Sequence, residues 1–98
     1  MPKGYWIAHV EVADLARYQS YIDGARAAFE AHGARFIARG GASQEMEGPQ
    51  GRSRHVLIEF PSYDAALACW RSETYQAARA HRTPVSEATI VITEGLDP

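Results

Sequence analysis

The sequence predicts an α+β fold in which four antiparallel strands carry helices on one face. Three observations lead there. Four short runs alternate apolar and polar residues with a period of two, and two longer runs repeat apolar residues at three- and four-residue spacing. These runs follow one another as β-α-β-β-α-β. At 98 residues the chain is expected to be one domain, spanning 1–98.

The first strand is Gly4 to Val12, rich in β-branched and aromatic residues. Trp6, Ala8, Val10 and Val12 form one apolar face, and Tyr5, Ile7, His9 and Glu11 a mixed one. Asp14 is a good N-cap for a helix running to about His32, with Leu15, Tyr18, Ile22, Ala25 and Phe29 as its inward stripe. Gly24 inside that helix points to close packing on the sheet, and Gly33 is placed to cap its C-terminus. Ala34 to Gly40 alternates again, with Ala34, Phe36 and Ala38 on one side and Arg35, Ile37 and Arg39 on the other. The polar, glycine-containing connector 42–53 is longer than a hairpin turn and reads as a strand extension or a functional loop.

Arg54 to Phe60 is the third strand, apolar at Val56, Ile58 and Phe60 and mixed at His55, Leu57 and Glu59. Pro61 ends it and Ser62 caps a helix with Tyr63, Ala66, Leu67 and Trp70 inward. Ser72 caps a further helical segment, Glu73 to about Arg82, with Tyr75 and Ala78 inward, and Thr83-Pro84 stops it. Glu87 to Glu94 is the fourth strand. The order is that of a ferredoxin-like sandwich, with the first and third strands at the centre of the sheet. The face away from the helices carries Tyr5, Ile7, His9, Arg39, Leu57 and Glu59, too apolar in its middle to be left in water, so pairing with a second copy is expected.

Composition narrows the partners. A formal charge of −2 with scattered basic residues argues against nucleic acid. No apolar run reaches the ~18–20 residues that span a bilayer. The start, Met1-Pro2-Lys3, has no apolar segment of the signal-peptide kind, so a cytoplasmic location is expected. Cys69 is the single cysteine and reads as a small buried hydrophobe, with no base flanking it to make it a nucleophile.

Several stretches together resemble one family. They are Lys3 to Val10, Arg39-Gly40-Gly41, Ile58-Glu59-Phe60-Pro61-Ser62, Ser72 to Arg79 with Tyr75-Gln76-Ala77-Ala78, and Glu94-Gly95. In these the chain is similar to the DUF1330 family, within the dimeric α+β barrel superfamily. Cys69-Trp70 departs from the aromatic pair that similar proteins tend to carry there. The resemblance implies a ferredoxin-like fold that dimerises sheet to sheet into a barrel with helices outside, and it implies no reaction. Wider relatives include cofactor-independent monooxygenases, lactone isomerases and haem-degrading enzymes, among which fold alone does not choose.

The candidate site is His9, Arg39 and Glu59, with Tyr5 and Glu11 nearby, all expected on the face away from the helices. His9 and Glu59 are the parts of a general acid/base pair, and Arg39 could hold an anionic group or stabilise an oxyanion. The alternative is that Arg39 pairs with Glu59 while His9 is bonded at a dimer interface. The Arg39-Gly40-Gly41 turn could offer backbone amides to a small anion, or be a plain turn or bulge. His32 and His81 sit at helix ends, where positive charge is favoured, and no HxH or HxxxH pair exists, so neither a metal nor a cofactor is expected. The functional expectation is a homodimer that binds a small organic molecule, with or without cofactor-free acid/base chemistry. Its alternative is a structural or sensing dimer whose polar sheet face only fixes the interface.

Overall fold

In the computed structural model, which describes residues 2–48 and 51–97, a single sheet is layered against three helices. Strand β1 (Gly4–Val12) leads into helix α1 (Leu15–Ala31), then β2 (Arg35–Arg39) and β3 (Arg54–Phe60). Helices α2 (Tyr63–Arg71) and α3 (Glu73–Arg82) follow, and a 3-10 turn at Thr83–Val85 delivers β4 (Ser86–Glu94). The strands run in the order β2-β3-β1-β4 with every pair antiparallel, a ferredoxin-like arrangement. Among the described residues no helix is long and apolar enough to cross a membrane.

Local chemistry sets the helix boundaries. The Asp14 carboxylate accepts the Arg17 amide at 3.2 Å, and Ser62 Oγ accepts the Ala65 amide at 3.0 Å. Ser72 works on both sides of the break between α2 and α3. Its hydroxyl donates to the Cys69 carbonyl at 2.7 Å and accepts from the Tyr75 amide at 3.2 Å, closing one helix and opening the next. Gly33 follows α1 at φ +73°.

Trp6 is the centre of the core. Its ring meets Phe29, Phe60, Trp70 and Tyr75 at centroid distances of 5.3, 5.5, 5.8 and 5.0 Å, mostly edge to face. Its indole N–H donates to the Ala66 carbonyl at 3.0 Å, so the ring is buried without an orphaned donor. At the start of β1 the sheet runs tight under α2. A Cβ on Gly4 would run into the Ser62 carbonyl and stand 2.7 Å from Tyr63 Cα, so only glycine fits.

Three expectations need correction. Leu15 and Tyr63, both expected inward, are 75% and 36% exposed, and the buried sides of α1 and α2 are carried by Tyr18, Ala25, Ala28 and Phe29 and by Ala66 and Cys69. Gly24 packs against α3 rather than the sheet, a Cβ there lying 3.2 Å from the Ala78 methyl. The third correction matters most. Strand β2 does not alternate regularly: Phe36 pairs with Ile58 and Ala38 with Leu57, so Ile37 is an extra residue in a β-bulge. Past it the faces exchange, and Arg39, paired with Val56, lies on the helix side. The connector after β2 holds no regular element among its described residues, and Pro49 of its Met46-Glu47-Gly48-Pro49 segment lies outside them.

Candidate functional site

The expected constellation is divided into three places. On the outer sheet face, Tyr5 is paired across the strands with Glu59, and its hydroxyl donates to the Glu59 carboxylate at 3.4 Å. Lys3 and Arg35 flank the same carboxylate, each at 3.9 Å. Further along β1, His9 stands directly opposite His55, with their Nδ1 atoms 2.7 Å apart. One Nδ1 donates and the other accepts, which of them depending on the tautomers. Tyr5 and His9 are four residues apart on one strand, roughly 13 Å at ~3.3 Å per residue, which separates the His9 imidazole from the Glu59 carboxylate. They do not form an acid/base pair within one protomer. Glu11 is engaged elsewhere, accepting the Ser53 amide at 2.9 Å and so tying the long connector to β1.

The second place is the Arg39-Gly40-Gly41 turn. The Gly40 amide donates to the His55 carbonyl at 3.0 Å and is therefore not free for an anion. Gly40 has φ +69°, and a Cβ there would lie 2.7 Å from Arg54 Nη1. Its bareness lets the Arg54 side chain lie across the turn.

The third place is inside. Between the sheet and α1 and α3 is a cavity of about 40 Å³, room for a few waters or a small head group and far below the ~300–1,000 Å³ of a typical organic-ligand pocket. Its walls are aromatic and aliphatic, apart from the hydroxyls of Tyr18 and Tyr21 and the guanidinium groups of Arg39, Arg54 and Arg82. It shares Ile22, Phe29, Phe36 and Arg39 with an outer cleft of about 250 Å³ between α1 and β2. Arg39 itself is exposed and lies 4.1 Å over the Phe36 ring.

Arg82 is only 5% exposed. Its Nη2 donates to the Tyr75 hydroxyl at 3.4 Å, and its guanidinium lies 5.3 Å over the Tyr21 ring. Its Nε is buried without a partner, as is that of Arg54. Ion pairs among the described residues join Lys3 and Arg35 to Glu59 and Arg26 to Asp23, and none engages Arg39, Arg54 or Arg82. The Tyr21 and Tyr75 hydroxyls are 3.1 Å apart. Burial pushes the Tyr21 phenol well above its ordinary range, with Tyr75 adding to the effect. Burial also raises Tyr18, against the opposing pull of Arg54 and Arg82. Both are neutral hydroxyls at pH 7. On the far side of the core, burial pushes the Cys69 thiol up to about 12.

Of the residues expected at the site, the fold therefore brings Tyr5 to Glu59, leaves His9 with His55 and turns Arg39, still exposed, to the helix side of the sheet. Arg54 and Arg82 were missed, although both had a signal. Arg54 shares the parity of Val56, Ile58 and Phe60, and Arg82 falls four residues past Ala78 and seven past Tyr75 on the inward stripe of α3. A cation on an apolar stripe was the mark to read. Among the described residues no three histidine, cysteine or acidic side chains gather in a way that would hold a metal ion.

The fold has solved counterparts. A protein of unknown function from Rhodopseudomonas palustris superposes with a TM-score of 0.77 at 19% identity, over 99% of this chain and 85% of that one. SnoaB, a cofactor-independent oxygenase from Streptomyces nogalater, matches with a TM-score of 0.65 at 12% identity, over 100% and 97%. A dimeric ferredoxin-like protein of unknown function from Thermobifida fusca matches with a TM-score of 0.61 at 14% identity, over 95% and 91%. No curated protein matches the sequence. Residues 3–96 match the model of a domain of unknown function, DUF1330, and with nearly the whole chain so covered, the protein belongs to that family.

Proposed function

We propose that the chain works as a homodimer that binds a small organic molecule, each protomer holding its ligand between the helices and the sheet. The carrying observation is the aromatic-walled cavity with the Arg82 guanidinium buried in its wall. A well-packed core of this size has no structural use for a cation there, whereas convergent polar groups in an apolar pocket are how ligands are oriented. The 40 Å³ interior admits only part of a molecule, and the outer cleft is of a size to take the rest. The lone, buried Cys69 fits a reducing compartment such as the cytoplasm.

The dimer is supported by the outer sheet face, where Ile7, Ile37 and Val91 are 36%, 45% and 53% exposed around the half-buried Leu57. Ile7, Ile37 and Leu57 bound, with Leu96, an apolar groove of the kind that a second sheet would cover. Packing two such faces gives a barrel with the helices outside. The paired states of His9 with His55 and of Tyr5 with Glu59 favour, for these groups, a role in fixing that seam rather than acid/base work. Arg39 remains a ligand-binding residue, reaching the molecule from the inner side.

Light scattering and a thermal-shift screen of small organic molecules test both parts. The expected results are a dimer at micromolar concentration and stabilisation by a subset of ligands that Arg82→Met abolishes. A monomer under those conditions, or ligand binding indifferent to Arg82, would sink the corresponding part.

A further inference from the structure

We propose that the head group held in the inner cavity is a carboxylate, so that the ligand is a small planar organic acid; this rests on the binding reading above and narrows it. The cavity offers donors in excess. Guanidinium groups donate and never accept, and Arg39, Arg54 and Arg82 reach its wall from β2, β3 and α3. Aspartate, glutamate, asparagine, glutamine and histidine are all absent from that wall among the described residues. Glu30 stands on the outer cleft only. The chain as a whole carries a charge of −2, so this concentration of cations is local rather than compositional.

The tyrosines add to it. Arg82 can only donate to the Tyr75 oxygen, and Tyr75 Oη and Tyr21 Oη share a hydrogen bond at 3.1 Å in which either hydroxyl can be the donor. With Tyr75 as the donor, the Tyr21 O–H is free for an acceptor in the cavity that its side chain lines. Meanwhile the Nε atoms of Arg82 and Arg54 are buried and unpartnered, which is costly unless an acceptor completes them. A carboxylate suits a guanidinium edge, being flat, singly charged and able to take two parallel N–H bonds. The aromatic walls and the Phe36–Arg39 stack, which lines both the cavity and the outer cleft, suit a planar body behind it.

The test uses benzoate and benzamide, which share a ring and a shape and differ in charge. Each is titrated by calorimetry into the full chain at pH 7, with aromatic and amide NMR shifts locating the contact and inorganic phosphate as a third probe. Benzoate is expected to bind roughly tenfold or more tighter than benzamide, the scale of one charge-assisted hydrogen bond. Its shifts should centre on Tyr18, Tyr21 and Arg82. Arg82→Met should lose that tenfold, and Tyr21→Phe, which keeps the ring, should weaken benzoate about threefold. Equal binding of benzoate and benzamide at the cavity would overturn the carboxylate while leaving the binding reading intact. Phosphate binding as tightly as benzoate, or benzoate shifts centred on Tyr5 and Ile7, would also overturn it. Should none of the three probes bind, both readings fall.

Discussion

Removing the positive charge of Arg82 should make the unliganded protein more stable, an outcome opposite to that of most core substitutions. The guanidinium is 95% withdrawn from water, being 5% exposed, and no carboxylate among the described residues reaches it. Its one hydrogen bond among the described residues, to Tyr75, is long at 3.4 Å and contributes near the low end of ~0.5–1.5 kcal/mol. Its position 5.3 Å over Tyr21 adds about 1 kcal/mol. Against these, an uncompensated buried ion costs several kcal/mol even after relaxation. Methionine fills similar space with an adaptable apolar chain, and the Tyr75 hydroxyl keeps Tyr21 as its partner, so no polar group is orphaned. The balance favours Arg82→Met by about 1–3 kcal/mol. A domain of this size moves ~4–8 °C per kcal/mol, so its melting temperature should rise by at least about 4 °C. The urea midpoint should rise with the slope unchanged, since the folded and unfolded surfaces are nearly the same. If the variant instead loses about 2 kcal/mol or more, the guanidinium has a strong counter-charge, and the argument that the cavity is built for one falls with it.

Three further outcomes follow from the packing. Gly4→Ala should cost about 1–3 kcal/mol or more in urea titrations, because a Cβ there meets backbone at Ser62 and Tyr63 that no rotamer change can relieve. Val91→Asp places a charge on the outer apolar face at a 53%-exposed position, and light scattering should show the proposed dimer dissociating while circular dichroism shows the fold retained. Cys69, with its thiol pushed up to about 12 by burial, should resist thiol reagents at pH 8 in the folded protein and react at once in denaturant.

The strands and helices were legible because their periods are local properties of the chain. Asp14, Ser62 and Ser72 each announce a helix start by side-chain chemistry alone, and each caps one. The face of β1 was equally plain, because a strand flanked on both sides by partners has little freedom to slip. The site was less legible for reasons that lie in pairing. That His9 meets His55, and Glu59 meets Tyr5, depends on the register between β1 and β3, which no single strand encodes. The facing of Arg39 depends on the bulge at Ile37, which an alternating pattern of apolar and charged residues conceals. Arg82 could have been found by treating a charged residue on an inward stripe as an anomaly to explain rather than as the end of a helix.

The bulge has a consequence for how this surface tolerates change. Strand β2 is at the border of the sheet, hydrogen-bonded on one side only, so an extra residue there disturbs a single neighbour. Ile37 and Ala38 together oppose Leu57, which means that a chain lacking Ile37 would pair Phe36 with Ile58 and Arg39 with Val56 just as this one does. Length variation at this border is therefore silent on the inner side. It adds or removes an apolar side chain where a second subunit would press, and leaves the three arginines of the cavity where they are. The proposed binding and the proposed assembly could in this way be altered one at a time, by a single codon.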